Sequence, residues 1–231
     1  MALAHSPKIV TDGLVLCLDA ADPKSYPGSG TAWTDRSGNS YNGTLVNGPT
    51  FDSANGGSID FDGTNDYGSV TGNDLNFINN VTLEVWAKYT TVSNTVLVEK
   101  SSNNTHYQLQ VFASSQGTVG VAGEIVFMLQ PNSSNWVVTG EVTNDGTWHH
   151  YVGTYNRSTT TAKVYVNGVL KNTNSAIVSG PSSNSQALLL GSRSGSSGFG
   201  GNISRTSIYN RDVTAAEVLQ NYNATKGRFG L

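Results

Sequence analysis

Gly146-Thr147-Trp148-His149-His150-Tyr151-Val152-Gly153-Thr154-Tyr155-Asn156 and, shortly after it, Lys163-Val164-Tyr165-Val166-Asn167-Gly168-Val169-Leu170 decide the fold of this chain. Two alternating runs, rich in aromatic and β-branched side chains, are joined by a short polar loop. The second run turns back on itself at Asn167-Gly168. Alternation marks a half-buried strand, and Asn-Gly between apolar runs marks a tight hairpin, because both central residues take positive φ. The segment predicts antiparallel sheet with one buried face.

Working outward, similar strand-like runs fall near 44–47, 58–62, 67–70, 81–89, 95–100, 106–113, 119–130, 135–143, 186–191 and 203–209. Turn residues separate nearly all of them. Many short strands punctuated by Gly, Asn and Ser predict an all-β, antiparallel two-sheet β-sandwich of jelly-roll type. A further strand is expected over 9–19. Residues 20–42 then read as a long irregular segment, with Trp33 expected to plug onto the body. One helix is expected, at the C-terminal end. Thr214-Ala215-Ala216-Glu217 is a capping box, Val213 and Val218 form the staple around it, and Val218, Leu219 and Tyr222 form the docking stripe. The Gly/Ser-rich stretch 191–201 reads as a flexible loop; it has no Gly-Lys-Ser/Thr ending and is no phosphate cradle.

The chain has 231 residues, 37% hydrophobic and only 13% charged, with a net charge of −3. That charge content is about half the usual level and fits a loop-rich β protein with uncharged polar faces. With no Lys/Arg cluster, a nucleic-acid backbone is excluded as a partner. No apolar run is long enough for a membrane-spanning helix. Met1 to Lys8 lacks the apolar core of a signal peptide, so the sequons at Asn42, Asn80, Asn132 and Asn156 read as unmodified. Cys17, the single cysteine, reads as a small buried hydrophobe, leaving stability to packing.

Several segments, taken in order, resemble the concanavalin A-like, laminin-G-like jelly rolls. They are the hairpin quoted above, Ser58-Ile59-Asp60-Phe61-Asp62-Gly63-Thr64-Asn65-Asp66-Tyr67, Val81-Thr82-Leu83-Glu84-Val85-Trp86-Ala87, and Gly200-Gly201-Asn202-Ile203 with Ile208-Tyr209-Asn210-Arg211. The resemblance covers 58–222. Residues 1–57 then form an integrated N-terminal strand and long loop, and 223–231 a C-terminal tail, all in one domain. The flanks, from Ile9 to Phe51 and from Leu219 to Leu231, are similar to laminin-G-like proteins of tailed phages, including cyanophages. That second resemblance implies a virion surface component, a capsid decoration protein or small tail-associated module assembled in the host cytoplasm. Its partners would be other virion proteins, host or environmental glycans, and further copies of itself.

Asp60, Asp62, Asn65 and Asp66 are the candidate metal ligands. Asp60 and Asp62 share a strand face, the turn folds back beside them, and Ca²⁺ takes several hard oxygens. Calcium-binding members of the resembled family use carboxylates at the sandwich rim, which implies a calcium-dependent lectin as the second reading. Against it, the same side chains build turns through bonds to backbone N–H groups. The family's acidic "IDD" is also replaced here by Ile203-Ser204-Arg205. His149 and His150, being adjacent on a strand, point to opposite faces and cannot share one ion.

Glucanases on this fold present two carboxylates across the scissile bond. None of Glu84, Glu99, Glu124, Glu141 and Glu217 has an aspartate two residues on, so the chain reads as non-enzymatic. Trp136, Tyr107 and Tyr67 are the candidate glycan-stacking residues, whereas Trp86 and Trp148 read as core. Lys226, Arg228, Phe229 and Leu231 are expected to anchor the chain to a neighbouring subunit.

Overall fold

The computed structural model describes residues 7–72, 75–92, 95–102, 105–113, 120–129, 133–193, 195 and 197–231. The chain start with His5, the Asn132 sequon and the His106 side chain lie outside what is described. In chain order the first strands are β1 (Leu14–Asp19), β2 (Ala32–Trp33), β3 (Gly43–Val46), β4 (Thr50–Asp52), β5 (Ser58–Asp62), β6 (Tyr67–Val70) and β7 (Asn80–Tyr89). They are followed by β8 (Thr95–Ser102), β9 (Thr105–Val111), β10 (Glu124–Met128), β11 (Trp136–Val142), β12 (His149–Asn156) and β13 (Thr161–Val166). The last are β14 (Val169–Asn174), β15 (Leu188–Leu190), β16 (Ser192–Arg193), β17 (Ser197–Gly198) and β18 (Gly200–Tyr209), before helix α1 (Ala215–Thr225).

These strands make two eight-stranded antiparallel sheets, the jelly-roll sandwich that the alternation predicts. The first runs β14-β13-β12-β7-β18-β5-β4, and β1 also joins β18. Strands β5 and β1 share one edge of β18: β5 pairs with Gly200–Ile203 and β1 with Arg205–Tyr209. The second runs β11-β10-β9-β8-β15-β6-β3-β2. The quoted hairpin lies in the first sheet, with β12 between β7 and β13. At its second turn Asn167 (φ 51°) and Gly168 (φ 78°) both take the left-handed conformation, as an Asn-Gly hairpin requires.

Between the sheets lies one apolar core, to which Leu16, Trp33, Leu83, Val85, Leu109, Phe127, Tyr151 and Ile208 contribute. Burial of this kind is the main stabilising term, about 25 cal/mol per Å² of apolar surface. Gly153 of β12 lets the two sheets approach: a Cβ there would fall 2.4 Å from the Phe127 ring. Trp33 is fully buried, so the long N-terminal segment does plug onto the body.

Three expectations are corrected. The first strand begins at Leu14, not residue 9, because Val10 belongs to the cover of the first sheet. The 191–201 stretch contains a short hairpin, β16 with β17, folded against β8. Leu219 is 46% exposed, and the buried face of α1 is Val218, Asn221 and Thr225. The capping box forms as predicted: Thr214 Oγ1 accepts from the Glu217 N–H, while the Glu217 carboxylate accepts from the Thr214 N–H. Among the described residues no helix is long and apolar enough to cross a membrane.

Candidate functional site

The two outer faces of the sandwich are treated in opposite ways. The middle of the first sheet's face is covered by segments from near the two ends of the sequence. Val10, Val213 and Val218 cover Val152, Tyr165 and Tyr209. Phe229 stacks on Trp86 at a centroid separation of 4.2 Å and packs at a tilt against Trp148 at 4.7 Å. Beneath this cover lies a buried polar network. His150 Nε2 sits 3.1 Å from Glu84 Oε1, and Asn221 Nδ2 donates to Glu84 Oε2 (2.7 Å) and Tyr209 Oη (2.9 Å). The Val10 N–H in turn donates to Asn221 Oδ1. Burial pushes the Glu84 carboxyl up, but His150, Arg205 and Asn221 outweigh it and hold it below the usual carboxylate range. Cys17 is part of the same layer, with Arg205 Nη2 donating to its Sγ at 3.4 Å; burial raises its thiol pKa, as for an inert, structural cysteine.

The tail residues therefore stand differently from the sequence expectation. Phe229 is a core residue, 8% exposed, and is not available to a neighbouring subunit. Arg228 gives two hydrogen bonds to the Asp19 carboxylate, at 2.7 and 3.0 Å. The Lys226 ammonium lies over the Tyr222 ring at 5.2 Å. Leu231 alone of the four is an exposed apolar end.

Among the described residues, the outer face of the second sheet has no such helix over it. Cross-strand pairing aligns Ala32, Thr44, Ser69, Leu189, Glu99, Gln108, Met128 and Trp136 in one row across all eight strands. At ~4.8 Å per strand the row is about 34 Å long. Its middle is shielded: Glu99, Gln108 and Met128 are almost wholly buried, with the β16-β17 hairpin packed on β8 and Arg193 Nη2 reaching Gln110 Oε1 at 3.4 Å. Tyr67, Ser69, Leu189 and Trp136 are half-buried, and Thr44 and Ala32 are exposed. A cleft of about 280 Å³ opens here, lined by Tyr67, Ser69, Glu99, Ser101, Leu189 and Gly195. Lys100, on the inner side of β8, fixes the cleft wall by donating to the carbonyl of Gln186. Beside the cleft, Gln108 Nε2 donates to Gln110 Oε1 (2.7 Å) and Met128 Sδ (3.2 Å), while Gln108 Oε1 has no hydrogen-bond partner among the described residues.

Of the three candidate stacking residues, Tyr67 and Trp136 share this face, Trp136 packing on Phe112 at 5.8 Å. Tyr107 does not: it is 2% exposed, points into the core and donates to the Leu75 carbonyl, so it cannot stack on a ligand. Sequence reasoning missed Glu99, Gln108 and Ser69. Their alternation was visible, but their alignment across strands distant in sequence was not.

Asp60, Asp62, Asn65 and Asp66 lie at the β5–β6 turn. Asp62 Oδ1 accepts from the N–H groups of Thr64 (2.7 Å) and Asn65 (3.3 Å), which lowers its pKa. Asp66 is buried and accepts from the Asp62 N–H (3.2 Å), burial raising its carboxyl. Asp60 is exposed and paired between Thr50 and Asn202. Among the described residues no three His, Cys, Asp or Glu side chains converge to hold a metal. The turn engages one oxygen each of Asp62 and Asp66. His150 and His149 point apart as expected, His149 bonding to Asp145 and Asn167.

One largely covered face, and one carrying a polar and partly aromatic row beside a cleft, define a lectin-type binding domain. The chain belongs to the concanavalin A-like lectin/glucanases superfamily, whose Laminin_G_3 family model matches residues 62–219. No curated protein matches the sequence significantly. Solved structures with the same fold include the binding domain of Paraclostridial mosquitocidal protein 1, with a TM-score of 0.69 at 18% identity. The match covers 93% of this chain and 52% of that one. Domain 4 of a GH43 extracellular arabinanase from Geobacillus stearothermophilus, solved with arabinotriose, has a TM-score of 0.69 at 18% identity. Here 90% of this chain and 98% of that one are covered. The binding domain of botulinum neurotoxin DC in complex with SialylT has a TM-score of 0.69 at 12% identity, covering 93% and 52%. The chain thus spans about half the length of the toxin binding domains and nearly all of the arabinanase domain. At these identities the likeness is one of fold alone.

Proposed function

We propose that this protein is a non-enzymatic binding module of a tailed-phage virion surface, a capsid decoration or small tail-associated component, that takes glycan through the outer face of its second sheet. The observation that carries the binding reading is the asymmetry of the sandwich. Segments from near the two ends of the sequence cover the middle of one outer face, and the other keeps hydroxyl and aromatic groups accessible beside a cleft. Such groups suit sugar hydroxyls and ring faces. The central row holds one carboxylate, Glu99, next to Gln108, whereas glycoside hydrolysis needs a pair. The virion setting rests on the resemblance of the two flanks. The solved relatives with arabinotriose and with SialylT support a glycan as the ligand to test first.

The test is a broad glycan panel with the intact protein, in calcium and then in chelator, repeated with Tyr67→Ala and Trp136→Ala. Binding that survives the chelator and is weakened by either substitution is expected. Binding abolished by the chelator would instead restore the calcium-dependent lectin reading. Full binding by both variants would remove the second-sheet face from the account. For the virion setting, the protein should be found in purified particles of the phage that encodes it; its absence there would end that part of the proposal.

A further inference from the structure

Asn42, Asn47, Asn55 and Asn167 are each followed by glycine. Such a pair can modify itself without any cofactor or oxidant. The glycine backbone nitrogen attacks the asparagine Cγ, and the new N–C bond closes a cyclic succinimide. The Cγ–Nδ2 bond breaks, and the side-chain nitrogen departs as ammonia with the proton that the glycine nitrogen gives up. Water then opens the ring at one or the other carbonyl, leaving aspartate or isoaspartate. Glycine permits the attack because no side chain crowds its nitrogen. Intramolecular attack also requires that the reacting atoms can reach one another, so the fold selects among the pairs by how firmly it holds each.

Three of them are held. Gly43 lies inside β3, paired with Trp33 and Val70, and Asn42 Oδ1 accepts from the Asp35 N–H at 3.0 Å. Asn167 is fixed at both ends of its amide, Oδ1 accepting from the His150 N–H (2.9 Å) and Nδ2 bonding to His149 Nδ1 (3.1 Å). Asn55 Oδ1 accepts from Trp148 Nε1 at 3.1 Å and its Nδ2 reaches the Arg228 carbonyl at 3.5 Å. A Cβ on Gly56 would touch Ala21 and Arg228, so that pair is also confined. Asn47 differs. It lies with Gly48 in the turn between β3 and β4, and both residues are exposed. A Cβ on Gly48 would meet nothing within 4 Å, and the Gly48 N–H makes no hydrogen bond among the described residues. One contact holds the Asn47 side chain, from Nδ2 to the Asn65 carbonyl at 2.8 Å.

We propose that Asn47 is a deamidation site, the first of the Asn-Gly pairs to convert in the folded protein, and that its conversion cuts the tie between the β3–β4 and β5–β6 turns. A carboxylate cannot donate a hydrogen bond, so the Asn65 carbonyl loses its partner and faces a new negative charge. Asp62 and Asp66 flank Asn65 in the same turn and add to the repulsion. The residue before Asn47 is Val46, which pairs with Tyr67, so the loosening falls beside the cleft that Tyr67 lines.

The test is to age the full-length protein in mildly alkaline buffer, which favours loss of the glycine N–H proton, beside a sample unfolded in guanidinium chloride. Peptide mapping by mass spectrometry and enzymatic methylation of isoaspartate follow each pair separately. In the unfolded sample all the pairs are unstructured Asn-Gly, so the folded-to-unfolded rate ratio reports what the fold does at each. Asn47 should convert several-fold faster than the others in the folded protein. Conversion of Asn42, Asn55 or Asn167 as fast as that of Asn47 would overturn the proposal, as would an Asn47 that stays intact while the unfolded chain converts. Asn47→Asp carries the same new charge and should shift the backbone amides of Asn65, Asp66 and Tyr67; unmoved amides there would overturn the coupling between the two turns.

Discussion

Phe229 stacks on Trp86 at 4.2 Å and a 24° interplanar angle, joining the last residues of the chain to the middle of the central strand β7. Thr225 Oγ1, one turn earlier, accepts from Trp86 Nε1 at 2.9 Å. The C-terminal tail is therefore part of the cover on the first sheet, and its removal exposes Trp86, Trp148 and the charged layer beneath.

Phe229→Ala is expected to cost about 3 kcal/mol, the usual toll of truncating a buried aromatic. A urea titration measures it as a fall in the midpoint. An unchanged midpoint would mean that the tail is only loosely applied.

The helix start carries an acid-sensitive contact. Arg211 donates to both oxygens of Glu217, at 2.9 and 2.6 Å. It is the main reason, ahead of the opposing effect of burial, that the carboxyl is lowered from 4.5 to about 2. A pKa depressed by folding adds stability that is present above about pH 4.5 and lost as pH falls toward 2. Stability measured over that window should drop less steeply in Glu217→Gln than in the wild type. Parallel curves would assign the acid loss to other carboxylates.

Glu84 is fully enclosed and depends on its partners. Replacing His150 by Leu leaves that carboxylate facing an apolar neighbour and should cost about 3 kcal/mol, as for other broken buried pairs. Denaturant unfolding of His150→Leu reads the loss directly. A neutral result would show that Asn221 and Arg205 suffice to hold the charge.

At the β5–β6 turn, Asp62→Ala removes the acceptor for two backbone N–H groups. The melting temperature should fall equally in calcium and in chelator. A calcium-dependent rise in the wild-type Tm, lost in the variant, would give the turn a metal after all.

What the local sequence encodes is recovered closely. Asn167-Gly168 sets its own turn through backbone φ, and Thr214 with Glu217 sets its own cap through contacts three residues apart. Strands β5 and β6 fall on the expected ranges 58–62 and 67–70, β6 alternating throughout and β5 from Ile59 onward. Period and turn chemistry are short-range, so a single sequence displays them. The same reading placed Leu219 inward and missed Asn221, because an apolar stripe says nothing of a buried carboxylate waiting on a strand. It left Phe229 free because Trp86 and Trp148 meet it only after the sheet has formed. Tyr107 and Tyr67 look alike in sequence, yet one lies on the inner and the other on the outer face.

By itself, then, the sequence determined the antiparallel sandwich, the hairpins and the capped helix, since each follows from periodicity and contacts a few residues long. Only the tertiary structure decided which outer face is covered, which aromatic groups remain available, and that Ser69, Leu189, Glu99, Gln108 and Trp136 share one row. Strand order and register bring those residues together, and both are set by packing between segments far apart along the chain.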